Sequence, residues 1–233
     1  MIDNILKDVS GGSREGKEVN VHKKLDDTGM LTLLEAGIDE FSAKGLDRAN
    51  INVIAKKAGL SVGVIYKYYE NKDRFFLACV EHSLKLLEAT FEEVMKQEDD
   101  IMSCIRLLIH RLMEGADEHA NYYVMYNEIT SGSCKKYAKE LAQKIEGNAA
   151  TIYEGLVAKA ENEGRVRYRG NPRMFAFYFD SLLMMLQFAF SCEYYKERMR
   201  IFCGDEAVDN PEEMAESFIE FIAAALGIEQ SGL

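Results

Sequence analysis

The sequence predicts an all-α protein with a small N-terminal helical unit and a larger helical remainder. Three observations carry that prediction. Only two prolines, Pro172 and Pro211, punctuate 233 residues; apolar residues return at intervals of three and four over long stretches; and no segment sustains the alternation of a half-buried strand. Nearly half of the chain is apolar, 48%, which is enough core for one large domain or two modest ones.

Residues 1–22 carry Ser10-Gly11-Gly12-Ser13 and mixed charges and read as a mobile tail. Leu31, Leu34, Ile38 and Phe41 then share one helical face, and Lys44-Gly45 is a stop signal. A short helix follows over Ile51–Ala58, with Asn50 as its N-cap and Ile51, Ile54, Ala55 and Ala58 on one side. Gly59 ends it, Ser61 caps the next helix, and that one runs only to about Tyr69. Two short helices on a tight glycine turn have the spacing of a helix-turn-helix. Asn71 caps a long helix to about Gln97, striped by Phe75, Phe76, Cys79, Val80, Leu84, Leu87 and Phe91. Further helices are expected over 100–115, 119–130, 133–163, 172–202 and 211–226. Asn171-Pro172 and Asn210-Pro211 each pair an N-cap with a first-turn proline.

Composition narrows the function. The N-terminus lacks the charged-then-apolar order of a secretory signal. The richest apolar run, Met174 to Phe190, is interrupted by Asp180, Ser181 and Gln187 and falls short of the roughly 20 residues of a membrane span. Cytoplasmic residence without a membrane partner is therefore expected. Cys79, Cys104, Cys134, Cys192 and Cys203 form no C-x-x-C pair and read as free thiols. His22, His82, His110 and His119 are scattered, so no metal and no cofactor is expected unless tertiary contacts assemble a site. No convergent nucleophile–base pair or cofactor fingerprint is present, which argues against an enzyme and leaves the catalytic set empty. The nearest things to catalytic polar groups, Glu128 near Tyr126 and Asp180 within its apolar helix, read as satisfied or solvent-facing residues.

The net charge of -11 is unevenly spread. Between Asn20 and Arg74 there are nine Lys and Arg against eight Asp and Glu, so almost the whole negative excess lies beyond Arg74. That permits nucleic-acid binding by the first part. On the helix from Val62 to Tyr69, at about 100° per residue, Ile65 faces the core with Tyr69 and Val62 beside it. Gly63 and Lys67 point the opposite way, with Val64 and Tyr66 on the flanks. A small residue beside a lysine suits a helix pressed into a major groove, the glycine admitting the backbone and the lysine reaching a base or phosphate. Tyr66 and Tyr68 can donate to phosphates, and Asn50, Ser61, Val62 and Lys72 lie along the same edge. The alternative is a compact helical hairpin with solvated lysines.

The run 51-INVIAKKAGLSVGVIYKYYENKDRFFLACV-80 resembles the DNA-binding signature of TetR-family transcriptional regulators. The resemblance rests on Ile54-Ala55, Lys57-Ala58-Gly59, the hydrophobic–Ser pair ending at Ser61, Gly63, Ile65-Tyr66, an aromatic pair and Lys72. Upstream, 33-LLEAGIDEFSAKGL-46 is similar to the family's first helix. Downstream, 164-GRVRYRGNPRMFAFYFDSLL-183 is similar to its entry into the penultimate helix. Val62 stands where Lys, Arg or Pro is frequent, Tyr68 where His is frequent, Asn50 where Thr is usual, and Asp26-Asp27 where the first helix often begins with a base.

The resemblance implies a helix-turn-helix domain over 23–70 and an effector-binding and dimerisation domain over 71–233. It implies a homodimer facing a palindromic double-stranded operator and, most often, a repressor. Pairing of the last two long helices would use Phe177, Leu182, Met185, Phe188, Phe218 and Ile222. A small-molecule pocket would be lined from among Phe91, Met95, Leu108, Met113, Tyr122, Tyr123, Met125, Tyr126, Tyr153 and Phe179, its ligand shifting the long fourth helix. An apolar or aromatic effector is favoured, because no tight basic cluster in this half offers to hold an anion. Two alternatives stay open: a regulator of the same kind answering to a protein or to thiol oxidation at Cys104 or Cys134, and a helical ligand carrier or enzyme without DNA binding.

Overall fold

Residues 25–97, 100–130 and 132–228 are described by a computed structural model, and all regular structure among them is helical. The expected tail over 1–22 lies outside the described residues. The helices are α1 (Asp27–Arg48), α2 (Ile51–Lys57), α3 (Val62–Tyr69), α4 (Lys72–Gln97), α5 (Ile101–Glu118), α6 (Ala120–Ile129), α7 (Ala138–Asn162), α8 (Pro172–Ser191), α9 (Glu193–Cys203), α10 (Glu206–Asp209) and α11 (Pro211–Leu226). A short 3-10 segment, Gly132–Tyr137, precedes α7.

Side-chain caps begin most of these helices. Asp26, Asn50, Ser61, Asp100, Asn171 and Asn210 each accept from a backbone N–H in the first turn that follows, a contact that stabilises a helix by about 1 kcal/mol. α1 changes direction at Gly45, whose φ of 72° is open to glycine at little cost. Gly59, at φ 67°, makes the equivalent turn between α2 and α3.

Two apolar clusters hold the molecule together. In the first, Leu33, Ile38 and Phe41 of α1 meet Ile54 of α2, Ile65 of α3 and Phe75 and Phe76 of α4, all almost fully buried. Phe41 sits edge-on to Phe76 at 5.1 Å and tilted to Phe75 at 5.7 Å. The same cluster takes in Met125 of α6 and Leu141 and Ile145 of α7, so the N-terminal unit packs firmly against the remainder. In the second, α5 is the central helix: Ile105, Leu108, Ile109 and Leu112 pack on Tyr153 and Val157 of α7, Phe175 and Phe179 of α8, and Ile219, Ile222 and Leu226 of α11. The backbone N–H groups of Arg167 and Tyr168 donate to Leu226 O at 2.9 and 3.1 Å, fastening the α7–α8 connection over the end of α11.

Three expectations change. The helix expected over 172–202 is two helices, broken at Cys192, where the backbone is extended (φ -122°, ψ 124°). The helix expected over 133–163 starts as a 3-10 segment. α8 has the length and apolar content of a membrane-crossing helix, contrary to the expectation that no run approaches it; here Phe175, Phe179, Leu183 and Phe188 are buried against neighbouring helices.

Phe76→Ala should cost about 3–5 kcal/mol, because Phe76 is fully enclosed and its ring is shared between α1 and α4. Urea denaturation followed by circular dichroism measures this directly.

Candidate functional site

α3 is positioned by one buried side chain. Ile65 is fully enclosed, and Tyr69 beside it packs on Phe75 at 4.9 Å while its hydroxyl points to the Met30 sulfur at 3.0 Å. That anchoring turns Gly63, Tyr66 and Lys67 outward. Tyr66 is 41% exposed, Gly63 and Lys67 are exposed, and Lys67 forms no ion pair among the described residues. Gly63 has no conformational reason to be glycine: its φ is ordinary, and an added Cβ would meet nothing nearer than Ser61 Oγ at 3.8 Å. The fold itself does not require a glycine at this position.

Four expected contact residues are already engaged. Lys72 reaches back to the end of α1, its Nζ donating to Asp47 O at 2.8 Å and Ala49 O at 3.3 Å; it is a C-terminal cap of that helix rather than a free cation. Tyr68 is half-buried and its hydroxyl accepts from Leu25 N at 2.7 Å, which ties α3 to the start of α1. Asn50 Oδ1 and Ser61 Oγ are occupied as caps of α2 and α3. Val62 is half-buried against the core rather than presented outward.

α6 joins this head to the rest of the molecule through polar contacts with α1. Tyr122 Oη donates to Glu35, whose Oε1 also lies 3.0 Å from His82 Nε2 of α4. Burial acts to raise the Glu35 carboxyl, but the hydrogen bonds from His82 and Tyr122 prevail and hold it below the usual range. Asn121 donates to Asp39 at 2.6 Å, and Asp39 also pairs with Lys57. Glu128 accepts from Leu46 N at 3.3 Å, across the Gly45 bend.

Behind α6 lies a cavity of ≈ 30 Å³ among α4, α5, α6, α7 and α8. Phe91, Tyr126 and Tyr153, all expected there, line it; so do Glu146, Asp180 and Gln187, which were not expected. The Tyr126 hydroxyl donates to Glu146 at 2.7 Å. Burial, then the charge of Glu146, raises Asp180 to about 7. Burial also pushes the Tyr126 and Tyr153 phenols upward. Seven expected lining residues lie elsewhere. Met95 is 42% exposed, Leu108, Met113 and Phe179 belong to the second apolar cluster, Met125 is buried in the first, and Tyr122 packs against that one while holding Glu35. Tyr123 donates to Leu112 O at 3.2 Å, and its burial raises it to about 12.

A second, larger hollow of ≈ 410 Å³ runs between α8, α9 and α11, walled by Leu182, Met185, Met199, Phe202, Phe218 and Phe221 among others. α8 separates the two. Asp180, Leu183, Met184 and Gln187 face the cavity, whereas Leu182, Met185, Leu186 and Ala189 face the groove. The stripes are offset by two residues, about 200° around the helix. Phe177 is 64% and Phe221 58% exposed. Two expected pairing residues are instead internal: Phe188 is packed between Tyr126 and Tyr195, and Ile222 is in the second core. His110 of α5 comes together with Glu212 and Glu216 of α11, their ligand atoms within 4.8 Å, with Arg106 also paired to Glu216. This is a tertiary grouping that the scattered histidines did not foretell.

Residues 33–79, from the middle of α1 into α4, match the family model of bacterial regulatory proteins of the tetR family. Over that segment the chain is similar to the tetR family. Among curated relatives, this chain is 30% identical over 96 residues to an uncharacterized HTH-type transcriptional regulator, YvdT of Bacillus subtilis (strain 168), covering 40% of this chain and 48% of YvdT. The chain thus spans about half the length of that relative. It is 20% identical over 140 residues to the fatty acid metabolism regulator protein of the same organism, covering 59% of this chain and 70% of that protein. In fold it is similar to the transcriptional regulator FadR from Bacillus subtilis in complex with stearoyl-CoA, with a TM-score of 0.69 at 15% identity, over 84% of this chain and 98% of that one.

The lone acid among the apolar residues of α8 was the available signal for the cavity, since a carboxyl in such a helix needs a polar surrounding. Its pH signature follows. The Asp180 carboxyl is raised from 3.8 to about 7 on folding, so the folded state holds its proton more tightly, and stability falls as pH rises through that window. Glu146, Tyr126 and Tyr153 face the same space and stay in place in Asp180→Asn. The stability of Asp180→Asn minus that of the wild type should increase between about pH 4 and 7 and level off above, as read from urea denaturation at each pH.

Proposed function

We propose that this protein is a ligand-responsive transcriptional regulator, a repressor, that binds a palindromic operator as a homodimer and is released by a small molecule held among α4–α8. The observation that carries the DNA-binding part is the outward face of α3, where an exposed glycine that the fold does not need stands beside Tyr66 and an unpaired Lys67. A glycine there lets the helix backbone come close to a groove floor, and Lys67 and Tyr66 reach bases or phosphates on either side. The region from about 23 to 70 is the reading head and the rest serves effector binding and dimerisation. The head works in the cytoplasm, where operator DNA is, and needs no cofactor or catalytic group.

The second copy belongs on the groove between α8, α9 and α11. Its walls expose Leu182, Phe202 and Phe221, apolar surface of the kind that marks a protein interface, and Phe177 is exposed on the same helix α8. Phe177, Leu182, Met185 and Phe218 keep the pairing role expected of them; Phe202 of α9 and Phe221 of α11 join them. The thiol-oxidation alternative is disfavoured, since Cys104 and Cys134 are both buried and buried thiols are poorly reactive.

Gly63→Ala gives a clean test, since alanine favours a helix by up to about 1 kcal/mol over glycine. The variant should be as stable as the wild type or more so, yet bind operator DNA about tenfold or more weakly, measured by denaturation and by fluorescence anisotropy. Unchanged affinity would refute the assignment of α3. Lys67→Ala should weaken binding and lower the slope of log affinity against log salt by about one. Phe177→Asp together with Leu182→Asp should yield a folded monomer in analytical ultracentrifugation with much reduced operator affinity.

A further inference from the structure

The cavity behind α6 offers acceptors and negative charge, and none of the residues lining it is basic. Asp180 has no hydrogen-bond or ion-pair partner among the described residues. Glu146 accepts from the Tyr126 hydroxyl at 2.7 Å, which leaves it further acceptor capacity. Gln187 is the one polar residue in the buried core, 6% exposed; its side chain lines the cavity and has no hydrogen-bond partner among the described residues. No buried side-chain polar atom is left without a partner among the described residues, so the Gln187 amide and the half-buried Asp180 carboxyl present accessible polar atoms to the cavity, and a second carboxyl, Glu146, opposes the charge of the first. A positively charged hydrogen-bond donor would answer all three. The remaining walls are aromatic: Phe91 and Tyr153 meet edge-on at 5.7 Å, and Tyr126 closes another side, giving ring faces that attract a cation.

Size limits what part of a ligand the closed cavity can take. The ≈ 30 Å³ is space for a water-sized group, hence for an ammonium head without its body. The body has a way out. α4 and α7, which both line the cavity, make little direct backbone contact, and Leu87 of α4 and Met184 of α8, both only half-buried, are flexible side chains in its lining.

We propose that the effector is an organic cation: a protonated amine on an apolar or aromatic body, its ammonium donating to Asp180, Glu146 and the Gln187 carbonyl while the body displaces Leu87 and Met184. This rests on the reading of the chain as an effector-responsive regulator and names the ligand class of that same cavity. It separates this chain from an acyl-CoA regulator, because an anionic thioester would meet two carboxylates and no base.

A matched series of probes tests it: 4-phenylbutylamine, 4-phenylbutan-1-ol and 4-phenylbutanoate, which share a body and differ in charge, with stearoyl-CoA as a fourth. Isothermal titration into the full-length protein at pH 8 should show the amine binding at least tenfold more tightly than the alcohol or the carboxylate. Asp180→Asn and Glu146→Gln should each lower amine affinity at least tenfold while leaving the alcohol unchanged, and denaturation curves of both variants verify that they fold. Absence of amine binding, tighter binding of the carboxylate or of stearoyl-CoA, or amine affinity indifferent to both substitutions would each overturn the proposal. Operator affinity is read in parallel. Carboxylate-dependent amine binding that leaves operator affinity unchanged would uphold the site and overturn the regulatory reading. An amine-insensitive protein that still binds operator and is released by stearoyl-CoA would do the reverse.

Discussion

The structure hangs on the docking of α6 against α1. Ten residues of α6 satisfy two carboxylates of α1, Glu35 and Asp39, supply Glu128 to the backbone just past the Gly45 bend, and bury Met125 among the residues that hold the reading head together. An added Cβ at Gly45 would stand 2.7 Å from the Glu128 carboxylate, so the bend in α1 and the end of α6 fit each other closely. Such contacts are worth more than surface ion pairs because both sides are part-buried and would otherwise leave unsatisfied polar groups. One turn along from Tyr122, which grips the head, Tyr126 faces the cavity. One short helix thus carries both the contact to Glu35 and a wall of the cavity. α4 makes a second bridge of the same sort, with Phe75 and Phe76 in the head core and Leu87 and Phe91 at the cavity.

Much of the reading head was legible because its determinants are local. Asn50, Ser61 and Asn71 announce helix starts by short-range caps, Gly45 and Gly59 mark positions where the chain needs positive φ, and helical angles alone separate Ile65 from Gly63 and Lys67. Tyr68 and Lys72 show the limit. Both look available for phosphate by position, but their partners, Leu25 N and the carbonyls at the end of α1, are 43 and 25 residues away in sequence. The effector half was legible as helices and hardly at all as a site. Aromatic and Met residues at helical spacing mark burial without saying which core they enter, so Leu108, Met113 and Phe179 went to the packing of α5 and only Phe91, Tyr126 and Tyr153 to the cavity. The break at Cys192 has neither Pro nor Gly to mark it. The segment beyond it folds back as α9 and supplies Tyr195 against Phe188, which is why Phe188 is internal.

Charge is arranged with the same division of labour. The chain is acidic overall, yet head carboxylates such as Asp39, Asp73 and Glu35 are drawn into contacts with Lys57, Lys136, Tyr137 and Tyr122. The hydrogen bond from Lys136, and after it the one from Tyr137, hold the Asp73 carboxyl below the usual range. These acids are spent on internal structure, leaving Lys67 uncompensated on the outer face. Net charge says little about a protein whose acids and bases face different partners.

α8 explains why an apolar helix can carry an acid at its centre. Two apolar stripes, offset by about 200°, face the cavity and the groove, so the helix has no polar side by which to orient itself, and its 20 residues resemble a membrane segment in composition. Asp180 and Gln187 break that symmetry. Seven residues apart, they lie on one stripe two turns from each other, and both line the cavity rather than the groove. Placing them on the cavity fixes the rotation of α8 and thereby presents Leu182 and Met185 to the groove. The position of the Asp180 carboxyl on the cavity is thus linked, through one helix, to the geometry of the outer face.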